Sequence, residues 1–489
     1  MHSLNPVLAV LSVLSRVIMG FSFTLLVPLA WAWGLDAQGL PGVWLSAFAG
    51  TALSGAALWL LTREHTRELQ PRDGILLVNL VWVSLTLFSA APLMFTVPGL
   101  TWTGAIFEAM SALTATGATV LSGLDQLPVS VNVWRCFLQL IGGLGIMLLV
   151  VAVLPMLGLG GVQLYRAETP GPMKDARLTP RIAETARGLW AVYFGMALAC
   201  FLAYRFAGMS WADAFMHMCT TMGLGGLSSH DASFAYWNSW QIEAVAVVFM
   251  GLAGISFARY FILWRTRSAV SLLRDSEVRC YAAVLLATIV VISALLHVHG
   301  TYPSLPHAVR ATTFQVLSLA TTTGYSSTDY AQWPAFAPVL LIFLGCFASC
   351  AGSTGGGIKM VRMILLVKQA RRELVRIIHP RVVNPVTLNG KNIPATVIAA
   401  VMAFMLIYGA SIVGLSMLML ASGLDVVTAF SAVIVCVNNI GPGLGLVGPA
   451  STFGVFNEFQ TWVCTFAMLL GRLELLAVLV LFTSQFWRK

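Results

Sequence analysis

Long apolar runs, almost free of charge, constrain this chain more than anything else in it. Crossing a bilayer as helix takes about 20 apolar residues. Ten stretches reach that length, at 7–33, 41–62, 75–97, 133–158, 186–208, 241–264, 280–299, 336–370, 393–421 and 458–487. Only 10% of the 489 residues are charged, against roughly 25% in a soluble protein. Such a chain cannot cover a water-facing surface, so lipid must solvate its sides. The length would suit about three soluble domains, but the composition points to a single all-α integral membrane domain. The first stretch lacks a basic start before Arg16 and is too long for the apolar core of a signal peptide, so it reads as a retained span.

The charges are placed unevenly. Arg63, Arg67 and Arg72 follow span two. Arg166, Lys174, Arg177, Arg181 and Arg187 follow span four. Arg265, Arg267, Arg274 and Arg279 follow span six, and Lys368, Arg371, Arg372, Arg376, Arg381 and Lys391 follow span eight. Arg488 and Lys489 end the chain. With ten alternating spans these all fall on one side, and only Arg135, Arg205 and Arg310 fall on the other. The asymmetry puts both termini in the cytoplasm of a bacterial-type inner membrane. It also accounts for the net charge of +9 without a nucleic-acid partner. Anionic membrane lipid or an acidic protein could use these basic loops. The eight cysteines are scattered through apolar stretches, with no CxxC and no Cys/His cluster, and read as small buried hydrophobes.

From span three onward, each connection on the sparsely charged side holds a shorter apolar stretch: 103–113, 211–222, 306–320 and 424–436. These are too short to span and read as re-entrant helices. Each runs into a polar, glycine-containing loop. The loops contain Thr114, Ala115, Thr116 and Gly117; Leu224, Gly225 and Gly226; Thr322, Thr323 and Gly324; and Asn439, Ile440 and Gly441. Counting 28 residues from Gly117, Gly226 and Gly324 reaches Gly145, Gly254 and Gly352; from Gly441 the matching Gly471 is two residues further. The repeating unit is therefore span, short helix, glycine-centred loop, span. The divisions are 1–70 for two leading transmembrane helices, then pore repeats at 71–165, 166–268, 269–380 and 381–489. Stacked around an axis, four such units give a pseudo-fourfold pore with the loops face to face.

Irregular backbone at membrane depth belongs where it is buried in protein or lines a water-filled cavity. A ring of backbone carbonyls can replace the hydration shell of a cation, and none of the loops puts a fixed charge at its centre. Glycine permits the φ values that turn carbonyls inward. The C-termini of the short helices carry partial negative charge toward the same place. Such a neutral ring suits weakly hydrated K⁺.

Together and in order, Thr116-Gly117-Ala118-Thr119, Gly225-Gly226-Leu227-Ser228, Thr323-Gly324-Tyr325 and Asn438-Asn439-Ile440-Gly441-Pro442-Gly443 resemble the loops of Trk-type potassium uptake proteins, the membrane subunits of the Trk/Ktr/HKT superfamily. So do Leu164 to Glu168 and Pro180 to Thr185. The resemblance spans the whole chain, including the two leading spans. Ala115 and Met222 depart from the family pattern. The resemblance implies K⁺ as the transported ion, a homodimer of the membrane chain, and a cytosolic nucleotide-binding regulatory subunit of the TrkA type. It implies no organic cofactor in this chain.

Gly352, Ser353, Thr354, Gly355, Gly356 and Gly357 interrupt span eight below the third loop. Glycine costs a helix about 1 kcal/mol per residue, so the helix should break there. The break reads as a hinge or plug across the pore, or as a kink that relieves packing. In the resembling family the matching loop gates the pore. Arg472, an intramembrane arginine and so a functional candidate, falls at the same level. It is expected either to contact the carbonyls of Gly355 to Gly357 or to pair with an acid such as Glu474. Lys359 and Arg362 are expected to mark the cytoplasmic end of the broken helix, and Arg16 to reach the cytoplasmic edge.

Two transport classes remain: a gated pore, and a symporter coupled to H⁺ or Na⁺. Coupling calls for a titratable carboxylate in the pathway. Glu108, Asp213 and Asp425 lie on or near the short helices, but none is at a loop centre, which favours the pore. Enzyme chemistry is not expected. Gly443 to Gly448 fits GxGxxG without the strand that motif follows, and Ser353 has no His/Asp setting. The cytoplasmic segments, of about thirty residues at most, are too short for a nucleotide-binding domain.

Overall fold

The computed structural model describes residues 5–36, 39–65, 67, 69–148 and 178–488. Leu164 to Glu168 and the cations Arg166, Lys174 and Arg177 lie outside the described residues, as does the end of the expected span 133–158.

The described chain is almost entirely helical. Asn5–Ser22 and Leu26–Leu35 form the first membrane-length rod, and Leu40–Thr62 returns against it. Gly55 permits the close approach: a Cβ there would sit 3.1 Å from the Ser15 carbonyl and 2.8 Å from the Met19 side chain. This leading pair is fastened to the rest by polar contacts. Asp36 accepts the Val129 and Ser130 N–H groups at 2.8 and 3.0 Å, and Trp44 donates to the Ser130 hydroxyl at 2.9 Å. The helix starting at Val129 thus has its orphan N–H groups satisfied by a side chain from another element.

The short helices are Trp102–Leu113, Trp211–Gly223, Leu305–Ala320 and Val426–Val437. Thr101, Ser210 and Asp425 cap three of them, accepting N–H groups at 3.0–3.1 Å. Each short helix is flanked by longer ones. The helices before them are Pro71–Thr96, Leu178–Phe206, Ser276–Val298 and Ala395–Ala421.

The helices after them differ from expectation. Among the described residues seven helices are long and apolar enough to cross a membrane, or up to nine if each bent pair counts once. Val129–Leu148 is continuous as far as described. Trp240–Ala253 turns by 86° into Phe257–Thr266, and Glu458–Arg472 turns by 110° before Leu476. The eighth expected span, 336–370, is not one. A short helix, Phe336–Gly345, stops at a non-helical loop, 346–359, and Met360–Ile378 starts afresh. A break was expected only here, yet the second and fourth units also break. At the last bend the backbone is strained, with Glu474 and Leu475 at φ 57° and 48°, a region non-glycine residues seldom occupy.

Two details add to the expected helical fold. Thr387–Leu388 pairs antiparallel with Lys391–Asn392, a short hairpin within an otherwise helical architecture. Asn389 and Gly390, at φ 47° and 78°, make the turn for which Asn-Gly is a strong signal. Arg135 is not a loop charge. It lies inside the helix Val129–Leu148, fully buried.

Candidate functional site

The four loops end their short helices in the same way. Ala115, Leu224, Thr322 and Asn439 take left-handed φ of 50–62°, and the residue after each donates its N–H five positions back. Those bonds are Thr116 to Ser111 at 2.8 Å, Gly225 to Thr220 at 2.9 Å, Thr323 to Ser318 at 2.8 Å and Ile440 to Val435 at 2.8 Å. This is the Schellman arrangement, which consumes helix-end carbonyls and turns the chain sharply. Two residues on, Gly117, Gly226, Gly324 and Gly441 are again left-handed, at φ 84°, 72°, 85° and 101°. Two left-handed residues so close together keep the loop from continuing as either helix or strand.

The loops also touch in cyclic order. A Cβ on Gly117 would lie 2.0 Å from the Gly225 carbonyl oxygen, and one on Gly226 would lie 1.9 Å from that of Thr323. One on Gly324 would lie 2.0 Å from that of Ile440, and one on Gly441 would lie 2.8 Å from that of Thr116. Real Cβ atoms essentially never approach within 3.0 Å. Each anchor glycine is therefore pressed by the carbonyl that precedes the anchor of the next loop, and the fourth closes on the first. One cavity of about 230 Å³ is lined by all four anchor glycines. Thr114, Ala115, Thr116, Leu224, Thr322, Thr323, Asn439 and Ile440 are all buried.

Side chains stitch the ring. Gln139 donates to the Gly225 carbonyl at 2.8 Å and accepts the Leu227 N–H at 3.2 Å. The Tyr325 hydroxyl bonds Thr220 and Thr221 at the end of the second short helix. Asn439 donates to the Thr116 hydroxyl at 2.9 Å. Glu108 and Arg135, both fully buried, are paired at 2.6 Å. Glu108 accepts the Val120 N–H at 3.1 Å, and Arg135 reaches the Ser228 carbonyl at 3.4 Å. This pair thus spans the exits of the first two loops. Sequence reading named Glu108 only as a possible coupling acid and did not single out Gln139. Their partners lie 27 and 86 residues away, with no local signature.

Above the ring, His230 bonds Asp125, lies 3.4 Å from an Asp213 oxygen and stacks on Tyr236 at 3.6 Å. Burial pulls the His230 pKa down, but the two carboxylates outweigh it and hold the pKa above its ordinary value. Burial pushes Asp125 up, and its hydrogen bonds with His230 and the Asp231 N–H more than reverse this.

Below the ring lies the loop 346–359. Gly356 donates its N–H to the Thr322 hydroxyl at 2.8 Å, and Thr354 donates to the Met222 carbonyl at 2.9 Å. A Cβ on Gly356 would lie 2.1 Å from the Asn438 carbonyl oxygen. Ser353, Thr354, Gly355 and Gly356 are buried, and Gly352 and Gly357 half-buried. Glu277 accepts the Ala351 and Val361 N–H groups at 2.8 and 3.1 Å. The loop's backbone is therefore held by specific partners, as burial requires.

Arg472 is buried and reaches this loop, but not at the expected carbonyls. It donates to Thr354 at 2.9 Å and to Gly142 at 2.9 Å. The Gly355 carbonyl is taken by the Lys359 ammonium, and that of Gly356 by the Ser349 hydroxyl at 2.8 Å. Glu474 pairs with Arg362 instead, at 2.5 Å. Lys359 and Arg362 do not end the broken helix. They stand at the start of Met360–Ile378, with Arg362 buried over the Phe404 ring at 4.2 Å. The glycines at the 28-residue register have unlike surroundings: Gly145 faces Trp82, Gly254 the Tyr281 hydroxyl, Gly352 Ser256 and Gly471 the Val437 carbonyl.

Comparison with known proteins gives a consistent picture. The TrkH family model, described as a cation transport protein, matches residues 43–489. The Trk system potassium uptake protein TrkH of Vibrio parahaemolyticus serotype O3:K6 is 43% identical over 474 residues, covering 96% of each chain. TrkH of Escherichia coli K12 is 40% identical, covering 98% of this chain and 99% of its own. TrkG of the same strain is 38% identical, covering 89% of each. These relatives are named as transport proteins, not enzymes. The crystal structure of the potassium transporter TrkH from Vibrio parahaemolyticus superposes with a TM-score of 0.90 at 38% identity, covering 98% of this chain and 99% of the other.

Proposed function

This chain is a multi-pass membrane protein of the TrkH cation transport family, and from that premise we propose that it takes up potassium through a gated, carbonyl-lined selectivity filter. The observation that carries this is the cyclic contact of the four loops through Gly117, Gly226, Gly324 and Gly441. A closed ring of neutral carbonyls replaces the hydration of a weakly hydrated cation without trapping it on a fixed charge. The filter is formed by Thr114, Ala115, Thr116 and Gly117, by Leu224, Gly225 and Gly226, by Thr322, Thr323 and Gly324, and by Asn439, Ile440 and Gly441. Four units, 71–165, 166–268, 269–380 and 381–489, surround it pseudo-symmetrically, and the helices of 1–70 stand outside.

The gate is the loop from Gly352 to Gly357 with Lys359 and Arg472. Its position against Thr322, Met222 and Asn438 supports this role, because it touches one filter residue and residues that precede two other filter loops. The Arg472 guanidinium adds a positive barrier to a cation. Uptake runs into the cytoplasm across the inner membrane, with both termini inside. The membrane chain works as a homodimer, and a cytosolic nucleotide-binding subunit opens the gate.

Coupled symport with H⁺ or Na⁺ is the weaker reading. Glu108 is locked to Arg135, Asp213 accepts from Ser229 at 2.8 Å, and Asp425 caps a helix. Each candidate acid is thus engaged structurally. Rb⁺ flux in liposomes with and without a pH or Na⁺ gradient separates the two readings: a flux that needs neither gradient supports the pore.

A further inference from the structure

The arginine-rich face carries a cavity that the transport reading does not use. It measures about 410 Å³ and is lined by Arg259, Arg274, Arg279 and Lys391, with Asp275 as its acid. Asp275 is committed: it pairs with Arg259, caps the helix Ser276–Val298 and accepts from Asn389 at 3.2 Å. Among the described residues no carboxylate pairs with Arg274 or Arg279. The cavity therefore presents excess positive charge and guanidinium forks, the chemistry that recognises phosphate.

Each wall of this cavity is fastened to the loop 346–359 or to the helix that follows it. Arg259 belongs to Phe257–Thr266, whose first N–H donates to the Gly352 carbonyl at 3.0 Å. Asp275 and Arg279 flank Glu277, whose carboxylate holds the Ala351 and Val361 N–H groups. The hairpin bearing Lys391 packs Leu388 and Ile393 against Val361 and Leu365, the first turns after the loop. Asn389 links two walls directly, accepting the Ser276 N–H at 2.8 Å.

We infer that this cavity binds a phosphate group, and that its occupancy changes the setting of the loop 346–359 by drawing the hairpin toward the turn that carries Arg274 and Arg279. The regulatory part rests on the transport reading; the binding part does not. A lipid headgroup and a soluble phosphate share the chemistry.

The test uses the full chain in phosphatidylcholine nanodiscs titrated with inorganic pyrophosphate, and Rb⁺ flux in phosphatidylcholine liposomes with and without pyrophosphate on both sides. Saturable binding is expected, weakened about tenfold or more in Arg274→Gln/Arg279→Gln, as loss of charge-assisted hydrogen bonds requires. Arg274→Lys/Arg279→Lys should recover part of it. Pyrophosphate should change wild-type flux and leave that of the Gln variant unchanged. If phosphatidylglycerol in the bilayer displaces pyrophosphate, the occupant is a lipid headgroup; if binding is undisturbed, it is a soluble phosphate. Equal binding to wild type and the Gln variant, or no binding of either phosphate source, would overturn the site. Binding without a flux response would overturn its link to the loop. Absence of Rb⁺ flux in every wild-type liposome, with binding intact, would count against the transport reading and leave the site standing.

Discussion

Arg472 donates to the Thr354 carbonyl at 2.9 Å, and its other terminal nitrogen reaches the Gly142 carbonyl, also at 2.9 Å. One side chain thus ties the last long helix to the loop beneath the ring and to the helix after the first short one. Hydrogen bonds from a charged donor contribute about 1.5–3 kcal/mol each, and burying the charge offsets part of that. Arg472→Ala should free the loop and remove a positive barrier. Basal Rb⁺ efflux from liposomes should rise several-fold, by roughly the factor that about 1 kcal/mol of gate stability supplies. Unchanged efflux in folded protein would contradict a gating role.

Gly324 faces the Ile440 carbonyl, which a Cβ would approach to 2.0 Å at φ +85°. Gly324→Ser must displace backbone, not a flexible side chain. Preference for Rb⁺ over Na⁺ should fall about tenfold or more, the equivalent of about 1.4 kcal/mol between the two ions. Gly195→Ala, where nothing lies within 4 Å, is the control and should transport normally. Competitive flux with the two ions is the measurement.

The Glu108–Arg135 pair is fully buried. Removing one partner of such a pair costs about 3–5 kcal/mol, because the other is left as an uncompensated charge. Glu108→Leu and Arg135→Leu should each lower the melting temperature in detergent substantially. The double variant should be less destabilised than the sum of the two. Additive losses would mean that the two residues act independently.

Much of this molecule was legible beforehand, for physical reasons. Membrane-length apolar runs and short apolar stretches differ plainly in length, so the short helices were placed to within about two residues. The glycine anchors were legible because a left-handed backbone under a neighbouring carbonyl leaves no room for a side chain. Ala115, Leu224, Thr322 and Asn439, named as loop residues, share that left-handed φ without sharing a residue type, so composition could not reveal that conformation. The bends at Gly254 and at Glu474 were missed because the apolar run continues through both. The contacts of Arg472, and the pairing of Glu474 with Arg362, depend on how distant helices meet. The Asn389-Gly390 hairpin carries the local Asn-Gly turn signal, in a segment with no membrane-length apolar run.

His230 sits outside the spanning helices, between Asp125 and Asp213. Burial lowers its pKa and the carboxylates raise it further, so the folded value lies above 6.5. The folded state then holds the proton more tightly than the unfolded chain. This contribution to stability is complete below about pH 6.5 and is lost as pH rises through the raised value. Thermal melts between about pH 6 and 9 should show a fall in wild type that His230→Gln lacks. Identical slopes would contradict the assignment.

The most direct test of the central claim is Rb⁺ uptake into liposomes holding the purified chain, driven by a K⁺ gradient with no pH or Na⁺ gradient. Flux that follows the K⁺ gradient in wild type, with altered ion preference in Gly324→Ser, is the expected result. Flux that starts only when a pH or Na⁺ gradient is imposed would contradict the carbonyl-ring pore and establish coupled transport.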